Sequence, residues 1–354
     1  MLAGITFHQW LWLRRNFDIS PLLFLRVLSI TFQSIKNSFW AKRDLRFESQ
    51  YKNNTIQPPL FILGHWRNGT THLHNLITQD QRFGYSNAYQ VSFPHTFLST
   101  EKRETPFVSF FLPKRRPMDN VEMTITAPQE EEFALCAATF MSPCMGWVFP
   151  RQKEQFEKYL TFRDAAPAEI AEWSDAFYTF LKKLYWRDNR PLVLKSPPHT
   201  ARIRLLLELF PNAKFIHIHR DPLTVFQSTR RTFGLMVTWH NLQRPDVPDL
   251  DDWLIRQYRL MYDAFFADRP LIPARNYVEI AFEDLERDPI DELRKIYQTL
   301  NLPDFCSFEP TLQEYVNSLA GYKKNTFPNL DPVLKTRLRR EWCKCFEEWG
   351  YSAE

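Results

Sequence analysis

Apolar positions along this chain change period several times, and each change marks an element. Leu60-Phe61-Ile62-Leu63 is an apolar run of strand length that stops at Gly64, crosses a short polar loop with a second glycine at Gly69, and resumes from Thr70 to Thr78 with helical spacing. The alternation recurs downstream. Leu192 to Lys195 reads as a short buried strand followed by a helix over 202–210, Lys214 to His219 as a strand followed by a helix through Ser228, and Tyr277 to Phe282 as a strand followed by a helix over 290–300. Strands alternating with helices predict an α/β fold, a P-loop-like parallel sheet flanked by helices, with ligands at the carboxyl ends of the strands.

The first fifty residues have another pattern. Ser20-Pro21 predicts a cap and first helical position, and Leu22 to Phe39 is apolar around Arg26, Lys36 and Asn37. The stretch is too short to span a bilayer, which predicts a packed amphipathic helix. Trp10, Trp12, Arg14 and Arg15 keep an interfacial membrane helix, and hence peripheral membrane contact, as the alternative. The expected organisation is an N-terminal helical extension over residues 1–55 and an α/β domain over 56–354. After the helix that follows the phosphate loop, Pro94, Pro106, Pro113 and Pro117 mark an irregular region, and Pro128 is placed to open a helix whose first turn holds Glu130, Glu131 and Glu132. The spacing from Phe156 to Trp186 is helical. Thr232 to Asp252, with Trp239, His240, Arg244, Pro245 and Pro248, reads as a loop able to wall a substrate.

Composition narrows the class. Aromatic residues make up 16% of the 354 residues, with 31 Phe, which favours a packed enzyme-like body over disorder, and a net charge of +4 is too small to argue for nucleic acid. Five cysteines without paired spacing predict neither a disulfide framework nor a zinc site, and no secretory signal is expected, so a cytoplasmic location is the expectation, membrane-associated if the first helix is interfacial. The pairs His72/His74 and His217/His219 lack a third nearby ligand, and no metal is expected.

The strand–loop–helix junction at Gly64–Thr71 turns backbone N–H groups and a helix N-terminus toward one point, which suits a phosphate. Thr70 stands where a Walker motif carries its Lys, so the loop holds phosphate without the usual nucleoside-triphosphate machinery. Lys195 and Arg220 fall at two further strand ends, which implies a ligand with separated anionic groups. The segments Arg67-Asn68-Gly69-Thr70-Thr71, Leu194-Lys195-Ser196-Pro197-Pro198-His199, Arg220 to Ser228, Phe282-Glu283-Asp284-Leu285 with Asp288-Pro289, and Gly321 to Phe327 together resemble, in order, the sulfotransferases that use 3′-phosphoadenosine-5′-phosphosulfate (PAPS). The resemblance implies PAPS as co-substrate and Arg67, Asn68, Gly69, Thr70 and Thr71 at its 5′-phosphosulfate, with Asn68 in place of the usual Ser. It also implies Arg220 and Ser228 at the 3′-phosphate, and Lys324 and Asn325 in the closing C-terminal element. Arg67 and Lys195 are then expected to stabilise the leaving phosphate, and the base to be Glu130 or Glu131, with Glu132, His95 and His199 as competitors. The acceptor is expected to be a small molecule or lipid. A P-loop kinase using Asp221 for Mg²⁺ and a non-catalytic nucleotide-binding protein are the rival readings.

Overall fold

A computed structural model describes residues 1–111, 124–244, 249–321 and 327–352. The chain forms two compact units, one of residues 1–57, 84–190 and 233–248, the other of 58–83, 191–232 and 249–354.

The second unit holds the sheet. Its strands β1 (Leu60–Leu63), β2 (Val193–Lys195), β3 (Lys214–His219) and β4 (Tyr277–Ala281) lie in the order β2-β1-β3-β4, all parallel. Leu60 is level with Val193 on one side and Lys214 on the other. Both faces are covered, which is why the strands read as near-continuous apolar runs. Leu60, Ile62, Ile216, Ile218 and Ile280 face Leu73, Leu76 and Ile77 of the helix Thr70–Ile77 and Leu293 and Ile296 of the helix Pro289–Thr299. On the opposite face Phe61 stacks on Phe215, and His217 stacks on Phe265 of the helix Leu250–Asp268. The α/β class expected from the alternating pattern is the fold found.

The first unit is helical. Thr6 and Gln9 form a capping box at the start of the helix Phe7–Asn16, and the Gln9 amide also donates to Ala137 O and Ala138 O at 3.0 and 2.7 Å. The helix Phe24–Asp44 is attached by its polar side. Asn37 donates to Ala3 O and Ile5 O at 2.6 and 2.9 Å, Thr31 Oγ1 accepts from Trp10 Nε1 at 2.8 Å, and Asp44 accepts from the amides of Leu98 and Ser99 at 3.2 and 2.9 Å. The expectation of an apolar face packed inward fails here, because the backbone groups waiting for this helix are polar and take up Asn37 and Asp44.

Three local expectations are also corrected. The stretch expected to be irregular contains the helices Ala88–Ser92 and Phe97–Phe111, with Pro106 inside the second. The acidic helix starts at Glu132 rather than Pro128, because Pro128 is bridged to Asn87 and Gln129 N donates to Ser86 O, so this backbone is already committed. The helix from Pro222 runs on to His240, since Val225, Phe226, Phe233, Met236 and Val237 bury one helical face, and so Thr232 to His240 is not a loop. Pro113, Pro117, Pro245 and Pro248 lie outside the described residues.

Candidate active site

The loop after β1 is shaped by its two glycines. Gly64 has φ +144°, and a Cβ there would meet Ile218 O at 2.6 Å; Gly69 has φ +95°, and a Cβ would meet the Phe282 ring at 2.2 Å. Arg67 also takes a left-handed φ of 76°, a strained choice for a side-chain-bearing residue that aims its guanidinium across the sheet ends. Gly69 then caps the helix Thr70–Ile77, with Leu73 N donating to Gly69 O at 3.1 Å.

Three cations converge on this loop. Arg67 Nε donates to Ser228 Oγ at 2.9 Å, joining residues 161 apart in the chain. Arg220 Nη1 donates to Arg67 O at 3.3 Å, and its guanidinium lies 4.2 Å from the centroid of the Phe282 ring. Burial pushes the Arg220 guanidinium pKa downward, the Glu283 and Glu286 carboxylates oppose that, and the Arg67 charge adds to it. From β2, the buried Lys195 donates from Nζ to Thr71 Oγ1 at 3.3 Å. The ammonium that Thr70 denies the loop therefore arrives from the neighbouring strand. Burial, with the Lys195 charge second, holds His74 down to about 3 and so neutral.

Asn68 Nδ2 donates to Ile218 O at 3.0 Å and to Tyr262 Oη at 2.8 Å, and Tyr262 Oη also accepts from His65 N at 3.3 Å. Thr200 Oγ1 accepts from Gly64 N at 2.7 Å. These braces, and the Phe282 ring seated under Gly69 and Arg220, went unread in the sequence. Of the bracing partners Tyr262, Thr200 and Phe282, Phe282 alone lay in a segment carrying the resemblance.

Asp221, the kinase reading's candidate for Mg²⁺, caps the helix that follows it, its Oδ2 accepting from Thr224 N and Oγ1 at 2.8 and 2.6 Å. His217 Nδ1 pairs with Glu279 at 2.6 Å and His219 Nδ1 with Tyr351 Oη at 2.9 Å, so one ring nitrogen of each is engaged by a protein partner. Among the described residues no group of three or more His, Cys, Asp and Glu is arranged to hold a metal. His199 is fully buried with its ring edge on Phe61. Lys324 and Asn325 lie outside the described residues.

In the first unit all three acids are buried, Glu131 and Glu132 completely. Glu130 N donates to Gln129 Oε1 at 3.0 Å, and Glu131 is the cap of the helix Glu132–Thr139. Burial, with the Glu132 charge adding, pushes the Cys136 thiol up to about 12. His95 is held down to about 4 by burial, with the Lys183 charge second.

A family model described as the sulfotransferase family matches residues 58–306. The omega-hydroxy-beta-dihydromenaquinone-9 sulfotransferases of Mycobacterium bovis and Mycobacterium tuberculosis are 36% identical to the chain over 355 residues, covering 99% of it and 90% of each relative. The crystal structure of a Mycobacterium avium sulfotransferase superposes with a TM-score of 0.73 at 20% identity, over 93% of this chain and 86% of the other. One from Mycobacterium tuberculosis superposes at 0.58 and 15% identity, over 96% and 92%. These two establish the likeness of fold.

Proposed function

The chain belongs to the sulfotransferase family, and on that premise we propose that it moves a sulfuryl group from PAPS to a hydroxyl or amine of a lipid-like acceptor. The observation that carries the reading is the Arg67–Ser228 hydrogen bond, which unites the loop with the segment that begins at Arg220. In this reading the loop amides, Asn68, Gly69, Thr70 and Thr71 hold the 5′-phosphosulfate, Arg220 and Ser228 take the 3′-phosphate, and Lys324 and Asn325 contribute to nucleotide binding.

Transfer is in line. The acceptor oxygen or nitrogen forms its bond to sulfur as the bond from sulfur to the 5′-phosphate oxygen breaks, and the acceptor proton passes to a carboxylate, Glu130 first and Glu131 in reserve. The leaving 3′,5′-bisphosphoadenosine gains charge at the oxygen that parts from sulfur. Arg67 and Lys195 are already fixed by Ser228 and Thr71, so they stabilise that charge without reorganising. The acceptor class follows from relatives that act on a dihydromenaquinone derivative. The reaction is assigned to the cytoplasm, with peripheral membrane contact through the N-terminal helices.

The test is incubation of a lipid extract with purified protein and isotopically labelled PAPS, followed by mass spectrometry. A lipid species gaining one sulfuryl group supports the reading. Transfer of phosphate from ATP with Mg²⁺, and none from PAPS, would replace it with the kinase reading.

A further inference from the structure

The helix Phe24–Asp44 is built inside out. Its fully buried positions are Ser34, Asn37 and Asp44, while Leu25, Leu28, Phe32, Ile35 and Phe39, spaced 3, 4, 3 and 4 residues apart on one side, are between 52% and 74% exposed. Leu22 on the preceding turn and Leu45 beyond the helix extend the apolar surface, at 75% and 60% exposure. Isolated exposed apolar residues are ordinary; a continuous stripe over about four helical turns marks a binding face.

Charge identifies the occupant. Residues 1–57 hold eight Lys and Arg against three acids, a surplus of five that exceeds the +4 of the entire chain. Hydrogen bonds from Phe7 N to Ser38 and from Trp10 Nε1 to Thr31 set the helix Phe7–Asn16 antiparallel to the stripe helix, so exposed Arg14 and Arg15 flank its N-terminal end. Lys42 and Arg46, both exposed, continue the stripe itself at its C-terminal end. Arg43 lies 4.4 Å and Arg103 4.0 Å from the Trp40 ring centroid, aromatic bodies with charged heads around the rim. Pairing two copies through this face would set like charges together. Anionic headgroups would neutralise them. On the flank of the stripe the same helix lines a cavity of about 300 Å³ with Arg26, Ser29, Ile30 and Gln33, where a molecule leaving a bilayer could first lodge.

We propose that the stripe Leu25–Leu28–Phe32–Ile35–Phe39 lies in the interface of an anionic lipid bilayer, with Lys42, Arg43 and Arg46 on the headgroups, and, resting on the lipid-acceptor reading above, that the enzyme collects its acceptor there. The helix lies on the membrane and does not cross it. Among the described residues no helix is long and apolar enough to span one.

The experiment is vesicle flotation of the full chain with phosphatidylcholine alone and with phosphatidylcholine plus phosphatidylglycerol, with light scattering for oligomeric state and calorimetric binding of 3′,5′-bisphosphoadenosine on the same samples. The wild type is expected to float with the anionic vesicles and to release at high salt. The double variant Leu28→Gln/Phe32→Gln should partition about 10²-fold less, and Lys42→Glu/Arg46→Glu should lose the preference for phosphatidylglycerol, both with wild-type melting temperature and nucleotide affinity. Absence of wild-type flotation, or unchanged flotation of Leu28→Gln/Phe32→Gln, overturns the docking face. A wild-type dimer that this variant makes monomeric, without vesicle binding, overturns it in favour of a second copy. Flotation as expected with no nucleotide binding would leave the docking face standing and remove the donor assignment.

Discussion

Tyr262→Phe is the sharpest test of how the phosphate loop is held. The hydroxyl oxygen accepts from Asn68 Nδ2 at 2.8 Å and His65 N at 3.3 Å, and Tyr262, Asn68 and His65 are 1%, 0% and 4% exposed. Phenylalanine keeps the ring and deletes the shared acceptor, leaving two buried donors short of a partner. Each such donor costs about 1–3 kcal/mol, and since the Asn68 amide keeps Ile218 O, roughly 2–4 kcal/mol in all is expected. For 354 residues the unfolding entropy is roughly 0.7 kcal/mol per degree, so the melting temperature should fall by roughly 3–5 °C. The loss falls on the loop itself, so affinity for 3′,5′-bisphosphoadenosine should drop about tenfold with it. Thermal melts followed by circular dichroism, with calorimetric titration of the nucleotide, read both effects. A variant that melts with the wild type and binds as tightly would refute the bracing role.

Lys195→Ala and Arg67→Ala should each lower turnover by about 10²-fold, more than they weaken nucleotide binding, because in the proposed reaction both cations meet charge that develops as the phosphate leaves; equal losses in affinity with wild-type turnover at saturation would make them binding groups only. Glu130→Gln, or failing that Glu131→Gln, should retain nucleotide affinity and lose roughly 10²-fold or more of the transfer rate, and full activity in both variants would move the base elsewhere. Burial holds His65 and His95 near 4 and His74 near 3, below the unfolded value of 6.5. The unfolded chain therefore binds protons that the native one does not as pH falls below ~6.5, and stability should be flat above that pH and decline toward ~4. Urea midpoints across this window check it, and a midpoint that rises on acidification would contradict it.

The loop was legible because its signal is contiguous: an apolar run, two glycines and a helix start stand within fourteen residues and need no partner to be recognised. Arg220 and Ser228 were legible for the same reason, as a strand end and a helix turn. Tyr262 was not, since the hydroxyl that braces Asn68 lies 194 residues away in a helix whose pattern announces only burial. The helix Phe24–Asp44 shows a different limit. Periodicity reveals that a helix has an apolar side, but which side faces the body depends on partners such as Ala3 O, Ile5 O and the Leu98 amide. The acidic helix was shifted because Pro128 looks like a first helical residue until its pairing with Asn87 is known.

The donor assignment is tested most directly by titrating the protein with 3′,5′-bisphosphoadenosine and with adenosine 5′-monophosphate in the same calorimeter, without Mg²⁺. Arg220 and Ser228 are assigned to the 3′-phosphate, and losing such a charge-assisted contact costs about 1.5–3 kcal/mol, so the bisphosphate should bind roughly 10- to 150-fold more tightly. Ser228→Ala should narrow that gap. Equal affinity for the two nucleotides would contradict the account.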